Sequence, residues 1–347
     1  MGSPLSILDP WKILQDRQSR RVDYVRFSVT DRCNFRCTYC MPAEGAAHSP
    51  RADLLRYEEI LRLARIFVRL GVRKVRITGA EPLARRDLAR ELVEPLARMS
   101  GVEEVALTTN GHFLTEDAAA LADAGLRRIN VSLDSLDPER FRRVTRGGDV
   151  SRVLRGIEAA RRAGLGPVKI NVVVVRGEND GEDLTDLVEW GAREDLIVRF
   201  IECMPIGPAV NWSPSQFVPI ADVRSRLEMR YHVEPIAGIV GGGPAMHARI
   251  TPVDGGRAGS VVGFIAALTE NFCAQCNRVR VTSHGRLREC LSREGSVSLR
   301  DQMRSGASDE ALAEVIQRAL GTKVDGHQFA ESEGHVVAAG AMSSIGG

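Results

Sequence analysis

Between residues 24 and 202 the chain alternates two hydrophobic periods. Runs at 24–29, 74–78, 105–109, 128–133, 168–175 and 197–202 are either continuously apolar or apolar at every second position, and they predict six strands. The stretches between them, at 58–70, 86–99, 115–124, 152–163 and 181–192, carry apolar residues at helical spacing. In the first of these Ile60, Leu63, Ile66, Phe67 and Leu70 share one face, and Gly71 provides the stop. Strands alternating with helices imply parallel βαβ units. Six fall short of the eight of a closed barrel, so the predicted fold is α/β, a partial (β/α)6 TIM-like barrel.

Past Met204 the pattern breaks. Pro205, Pro208, Pro214 and Pro219 interrupt the chain before a predicted helix at 221–229. From 232 to 267 short apolar segments alternate with Gly-rich turns at 241–243 and 254–256, which predicts a small β-rich region. A last helix at 309–320 starts at the cap residue Ser308 and stops at Gly321. The expected division is a barrel domain over 1–219 and a smaller C-terminal domain over 220–347.

Composition narrows the function classes. With 44% hydrophobic and 27% charged residues the chain reads as an ordinary globular protein, and no apolar run is long enough to span a bilayer. A formal net charge of +2 gives no reason to expect a nucleic-acid partner. Residues 1–23 have no apolar core of the secretory kind, so the cytoplasm is the expected compartment. Seven cysteines, six of them in two tight groups, suit a reducing interior in which thiols serve as metal ligands.

The first group follows the first strand: Cys33, Cys37 and Cys40 in Ser28-Val-Thr-Asp-Arg-Cys-Asn-Phe-Arg-Cys-Thr-Tyr-Cys-Met-Pro42. Three soft ligands on one loop point to zinc or an iron–sulfur cluster. Zinc usually completes a tetrahedron with a fourth protein ligand, for which the nearest candidate is His48. A four-iron cluster on three thiolates keeps one iron open to a non-protein ligand. The second group, Cys273, Cys276 and Cys290, has the form Cys-x2-Cys-x13-Cys. It fits either structural zinc, completed by His284, or a second cluster with Arg278 and Arg280 beside it for bidentate phosphate contacts.

The Cys-x3-Cys-x2-Cys spacing with Tyr39 before its last cysteine resembles the radical S-adenosyl-L-methionine enzymes. Joined to the second group, it resembles the GTP 3',8-cyclase family of molybdenum cofactor biosynthesis over nearly the whole chain. The resemblance implies two [4Fe-4S] clusters, one on each cysteine triplet, with the second in the C-terminal domain, and adenosylmethionine as cofactor. Arg76-Ile-Thr-Gly-Ala-Glu-Pro-Leu is similar to the family's Gly-Gly-Glu-Pro motif, with Ala80 in place of the second Gly. It follows that Tyr39, Gly79, Ala80, Glu81, Ser132 and Met204 would contact adenosylmethionine. Arg26, Arg76, Thr108, Lys169, Arg278, Val279 and Arg280 would contact GTP. Gly346-Gly347 resembles the family's tail, which reaches into the active site, so Gly346 and Gly347 join Arg26, Arg278 and Arg280 as catalytic candidates. The implied partners are a flavodoxin-like reductant, a cyclic pyranopterin monophosphate synthase downstream and a second copy of the chain. Two other readings of the residues are a radical maturase acting on a peptide and a non-catalytic zinc or iron–sulfur protein.

Overall fold

The structure, a computed structural model, describes residues 11–206, 214–237, 243–255, 260–295, 297–327, 329 and 342–346. The turns expected at 241–243 and 254–256 lie partly outside the described residues, and Gly347 lies wholly outside them.

Period two gives each strand one face in the apolar core. In β1 (Tyr24–Ser28) Val25 and Phe27 are fully buried there, while Tyr24 and Arg26 on the other face line a cavity. The other barrel strands are β2 (Lys74–Thr78), β3 (Glu104–Thr109), β4 (Arg128–Ser132), β5 (Lys169–Val174) and β6 (Ile197–Glu202), all parallel. Between them run α1 (Tyr57–Arg69), α2 (Glu94–Ala97), α3 (Leu114–Asp123), α4 (Pro138–Thr145), α5 (Val150–Arg162) and α6 (Asp183–Arg193). The expected helix at 86–99 is realised as a π-type turn, Ala89–Val93, running into α2. Phe67 of α1 meets Phe27 of β1 edge-on, their ring centroids 6.0 Å apart, and both are wholly buried.

The six βα units are present, and the sheet continues beyond them. The remaining strands are β7 (Tyr231–Ile236), β8 (Met246–Pro252), β9 (Ser260–Ile265), β10 (Arg278–Val281), β11 (Arg286–Arg288) and β12 (Val297–Ser298). The twelve-stranded order is β12-β11-β10-β1-β2-β3-β4-β5-β6-β9-β8-β7. Strand β10 pairs parallel with β1, and β9 pairs parallel with β6. The C-terminal part therefore extends both edges of the barrel sheet. The physical reason is that β1 and β6 are buried and would otherwise leave a row of backbone donors and acceptors unmade.

Helices α7 (Ile220–Glu228), α8 (Leu299–Arg304), α9 (Asp309–Leu320) and α10 (Met342–Ile345) complete the described elements. Ser308 caps α9 as expected, accepting from Ala311 N at 3.2 Å. Helix α4 is an addition to the expected set. Its cap is Asp137, whose carboxylate accepts from Arg140 N at 2.7 Å, and Pro138 opens its first turn. No helix among the described residues is long and apolar enough to cross a membrane.

Candidate active site

The loop carrying Cys33, Cys37 and Cys40 leaves the C-terminal end of β1. Its backbone is pinned to the last carbonyls of α4: Arg36 N donates to Thr145 O and Thr38 N to Val144 O, each at 2.9 Å. From the other side the Tyr39 hydroxyl donates to Asp134 Oδ2 at 2.7 Å, just past β4. Asn110 Nδ2, just past β3, donates to Asn34 Oδ1 at 2.8 Å and stands 3.7 Å from Cys33 Sγ. Burial pushes the Cys33 thiol up to about 11 and the Cys40 thiol to about 12, and Cys37 well above the ordinary value. Among the described residues no three His, Cys, Asp or Glu side chains are gathered as ligands of a single ion. Neighbouring soft thiols that stay protonated until a metal's charge ionises them are a donor set that fits iron–sulfur chemistry.

The segment after β2 lies against this loop. Ala80 N donates to Thr30 O at 3.0 Å and Glu81 N to Arg32 O at 2.9 Å. Gly79 has φ +151°, and a Cβ there would stand 2.9 Å from Thr30 O, so only glycine permits this approach. The Glu81 side chain is wholly buried. Its Oε1 accepts from Leu83 N at 2.9 Å and Thr109 Oγ1 at 2.7 Å, and its Oε2 from Asn110 N at 2.6 Å. Burial outweighs these donors and raises the carboxyl to about 7. Glu81 thus ties the end of β2 to the end of β3.

Cross-strand register builds the second half of the site. Arg280 of β10 stands beside Arg26 of β1, which stands beside Arg76 of β2; Ala106 of β3 continues the row to Arg128 of β4. On β5 and β6, Lys169 lies opposite Asn130, and Arg199 opposite Asn171. These cations line one cavity of about 200 Å³ together with Cys273, Cys276 and Cys290. Like charges abreast destabilise a sheet unless something of opposite charge offsets them. Burial, then Arg280, lowers Arg26 well below its usual value. Burial, then Arg199, brings Lys169 down to about 7, and burial, then Arg76, brings Arg199 down to about 9. The buried Nε of Arg199 and Nε2 of His247 have no hydrogen-bond partner among the described residues. This wall is complementary to a polyanion.

The other sequence candidates fall in different places. Arg76 donates to Thr108 Oγ1 at 3.1 Å and also to the Tyr24 hydroxyl, so Thr108 orients an arginine of the wall. Ser132 ends β4, half-buried, and the half-buried Met204 lines the cavity. Val279 turns its side chain into the core, with only its backbone on the arginine strand. Gly346 lies against Thr78 and Gly79, and its carbonyl accepts from Arg280 Nη1 at 2.7 Å. That one residue touches both halves of the site. Cys203 is buried, as a small apolar residue would be.

Sequence reasoning missed Arg128, Arg199 and Asn171 in the wall, and Arg20 and Lys323 behind the second triplet. A signal existed for Arg199: it interrupts the apolar run of a strand whose Val198 and Phe200 fill the core.

A parallel α/β sheet with three cysteines in the loop after its first barrel strand defines a radical S-adenosylmethionine protein, and residues 27–191 match the Radical SAM superfamily. Residues 196–329 match Molybdenum Cofactor Synthesis C. The chain belongs to the GTP 3',8-cyclase family. It is 43% identical over 334 residues to GTP 3',8-cyclase of Moorella thermoacetica, covering 96% of this chain and 100% of that one. To GTP 3',8-cyclase of Rhodopseudomonas palustris it is 46% identical over 319 residues, covering 91% and 90%. Streptococcus suis SuiB shares the fold: its crystal structure superposes with a TM-score of 0.57 at 14% identity, over 84% of this chain and 64% of that one. The structure of SuiB bound to S-adenosylmethionine gives 0.56 at 14% identity, over 78% and 60%. The chain thus spans less than two thirds of SuiB's length.

Proposed function

We propose that this chain converts GTP into (8S)-3',8-cyclo-7,8-dihydroguanosine 5'-triphosphate, as a radical S-adenosylmethionine lyase in an early step of molybdopterin (molybdenum cofactor) biosynthesis. The reading rests on one observation: a single cavity holds both a row of buried arginines and the second cysteine triplet. In it a hydrogen atom would pass from C3' of GTP to the 5'-deoxyadenosyl radical, the C3' radical would add to C8 of the guanine, and one electron from the reductant with one proton would complete the 7,8-dihydroguanine. When bound, a four-iron cluster at Cys33, Cys37 and Cys40 supplies the electron that cleaves adenosylmethionine to methionine and a 5'-deoxyadenosyl radical. Tyr39, Gly79, Ala80, Ser132 and Met204 line the adenosylmethionine side, with Glu81 setting the strip on which 79 and 80 stand. Arg26, Arg76, Lys169, Arg278 and Arg280 hold the triphosphate, joined by Arg199, while Thr108 orients Arg76. Val279 contributes through its backbone. The second triplet, Cys273, Cys276 and Cys290, would hold a second [4Fe-4S] cluster, which would supply an open iron as a ligand site for the guanine. Fixing both ends of the nucleotide places C3' within reach and keeps water from the radical.

In the same reading the barrel unit is 1–219 and the auxiliary unit 220–347. The enzyme works in the cytoplasm as a homodimer, takes electrons from a flavodoxin-like carrier and passes its product to a cyclic pyranopterin monophosphate synthase. Turnover with GTP deuterated at C3' tests the central claim. Deuterium should appear in the 5'-deoxyadenosine; its absence there, with deoxyadenosine still formed, would discard GTP as the hydrogen donor. Metal analysis should find about eight irons per chain, and zinc at the second triplet would remove the guanine anchor.

Lys169 predicts a pH signature. Burial and the neighbouring arginines hold its ammonium at about 7, and a triphosphate beside it would raise that value. Binding therefore takes up a proton. GTP affinity should be highest below pH 7 and fall above it, by up to about ten-fold per unit, until the bound-state value is reached. Calorimetry in buffers of different ionisation enthalpy checks this, and Lys169→Met should bind GTP more weakly without the proton uptake. An unchanged proton uptake in that variant would move the effect to another group.

A further inference from the structure

The loop of the second cysteine triplet is held by two cations from distant parts of the chain. Arg20, in the segment before β1, donates through Nη1 to Cys273 O at 2.7 Å and through Nη2 to Val324 O at 2.8 Å. Its own guanidinium is fixed by Asp16 at 2.6 Å, and both side chains are buried. Lys323, after α9, is 4% exposed; its Nζ donates to Arg278 O at 2.8 Å and Cys276 O at 3.1 Å. Asn277 Nδ2 adds a third tie, to Asp23 Oδ1 at 2.6 Å.

We propose that Arg20 and Lys323 form a two-cation brace for the second cluster: together they set the loop's backbone, and Lys323 also sets the charge beside the Cys276 sulfur. The proposal rests on the two-cluster reading above. Two buried cations on carbonyls of a metal-binding loop do more than fill hydrogen bonds, because a third charge, Arg278, already crowds that loop. Burying a lysine there is costly unless an anion faces it. A cluster-bound Cys276 sulfur would be that anion. The Lys323 ammonium sits on the Cys276 and Arg278 carbonyls, at 3.1 and 2.8 Å, the first of them on the residue whose sulfur is a proposed ligand. A positive charge beside a ligating sulfur favours the reduced, more negative cluster, so its removal lowers the reduction potential. Lys323 and Arg20 are positioning residues, acting through Cys276, Cys273 and the arginine strand that begins at Arg278.

The test compares the anaerobically reconstituted protein with its Lys323→Met, Lys323→Arg and Arg20→Met variants. Lys323→Met should lose iron from the second triplet to a chelator about ten-fold faster and show a more negative potential for that cluster. Lys323→Arg, which keeps the charge, should return the potential toward wild type. Arg20→Met should speed iron loss with a smaller change in potential, since its guanidinium touches a carbonyl and no sulfur. Uncoupled cleavage of adenosylmethionine, a property of the first triplet, should persist in all three. A lowered melting temperature with unmoved potential and iron release in Lys323→Met and Arg20→Met would overturn the brace and leave plain packing. If Lys323→Met fails to fold, the potential of Lys323→Arg and the iron release of Arg20→Met still decide. Wild-type protein that loads only about four irons would remove the second cluster itself; about eight irons with indifferent variants would remove the brace alone.

Discussion

Gly346→Val should lower GTP cyclisation by about a hundred-fold, the scale expected when a reacting centre is displaced by an ångström, while 5'-deoxyadenosine continues to form. The backbone at Gly346 has φ +80°, a conformation a branched residue resists, and a Cβ there would stand 2.4 Å from Thr78 Cγ2 and 3.1 Å from Gly79 N. The tail must therefore back out of its slot. Withdrawal takes the Gly346 carbonyl away from Arg280, whose guanidinium is otherwise oriented at 2.7 Å by that acceptor. Loss at this point uncouples the two halves of the site without unfolding either. Steady-state assays of product and deoxyadenosine on one sample check it. Undiminished cyclisation, or equal loss of both activities, would mean that the tail does not link them.

The largest effect on stability is expected at Glu81. Glu81→Ala leaves Thr109 Oγ1 and the backbone N–H groups of Asn110 and Leu83 without their acceptor in a site closed to water. At about 1–3 kcal/mol for each stranded donor, the loss should be on the order of 3 kcal/mol or more, with adenosylmethionine binding lost alongside. Glu81→Gln should be milder, since one carbonyl oxygen still accepts. The two variants also differ in pH dependence. Burial raises the Glu81 carboxyl from its ordinary 4.5 to about 7, so the folded chain holds a proton there that the unfolded chain releases. Stability from this group is present at low pH and declines as pH rises from about 4.5 to 7. Asp134, raised by burial to about 6, adds with the same sign. Thermal unfolding of wild type and Glu81→Gln across that range should give the flatter profile for the amide; parallel profiles would place the proton elsewhere.

The strands and most helices were legible because their evidence is local. Ile60, Leu63, Phe67 and Leu70 announce α1 by spacing alone, and the two cysteine triplets stand out in the sequence for the same reason. Helix α4 escaped because five of its eight residues are arginine, glutamate or proline and only Phe141, Val144 and Thr145 are buried. Its start was written in Asp137-Pro138 all the same. The arginine wall was legible only in part. Resemblance supplied Arg26, Arg76 and Arg280, but that they stand abreast depends on pairing between residues as far apart as positions 26 and 280, which no local window contains. Nor does spacing show that β9 and β10 close the edges of the barrel sheet, since each is short and set among turns.

The pairing of β1 with β10 also bears on how the protein is made. At roughly 5–20 residues per second, a ribosome that has just finished β1 needs on the order of ten to fifty seconds to reach Arg278. Until then the strand that leads into the cysteine loop has one edge bare. The nascent chain thus holds β1 with one edge unpaired for most of its synthesis, although the partners of the cysteine loop, Asn110, Asp134 and Thr145, have already been made. Expression yields should respond to how quickly the last third of the chain, which supplies that edge's partner, is translated.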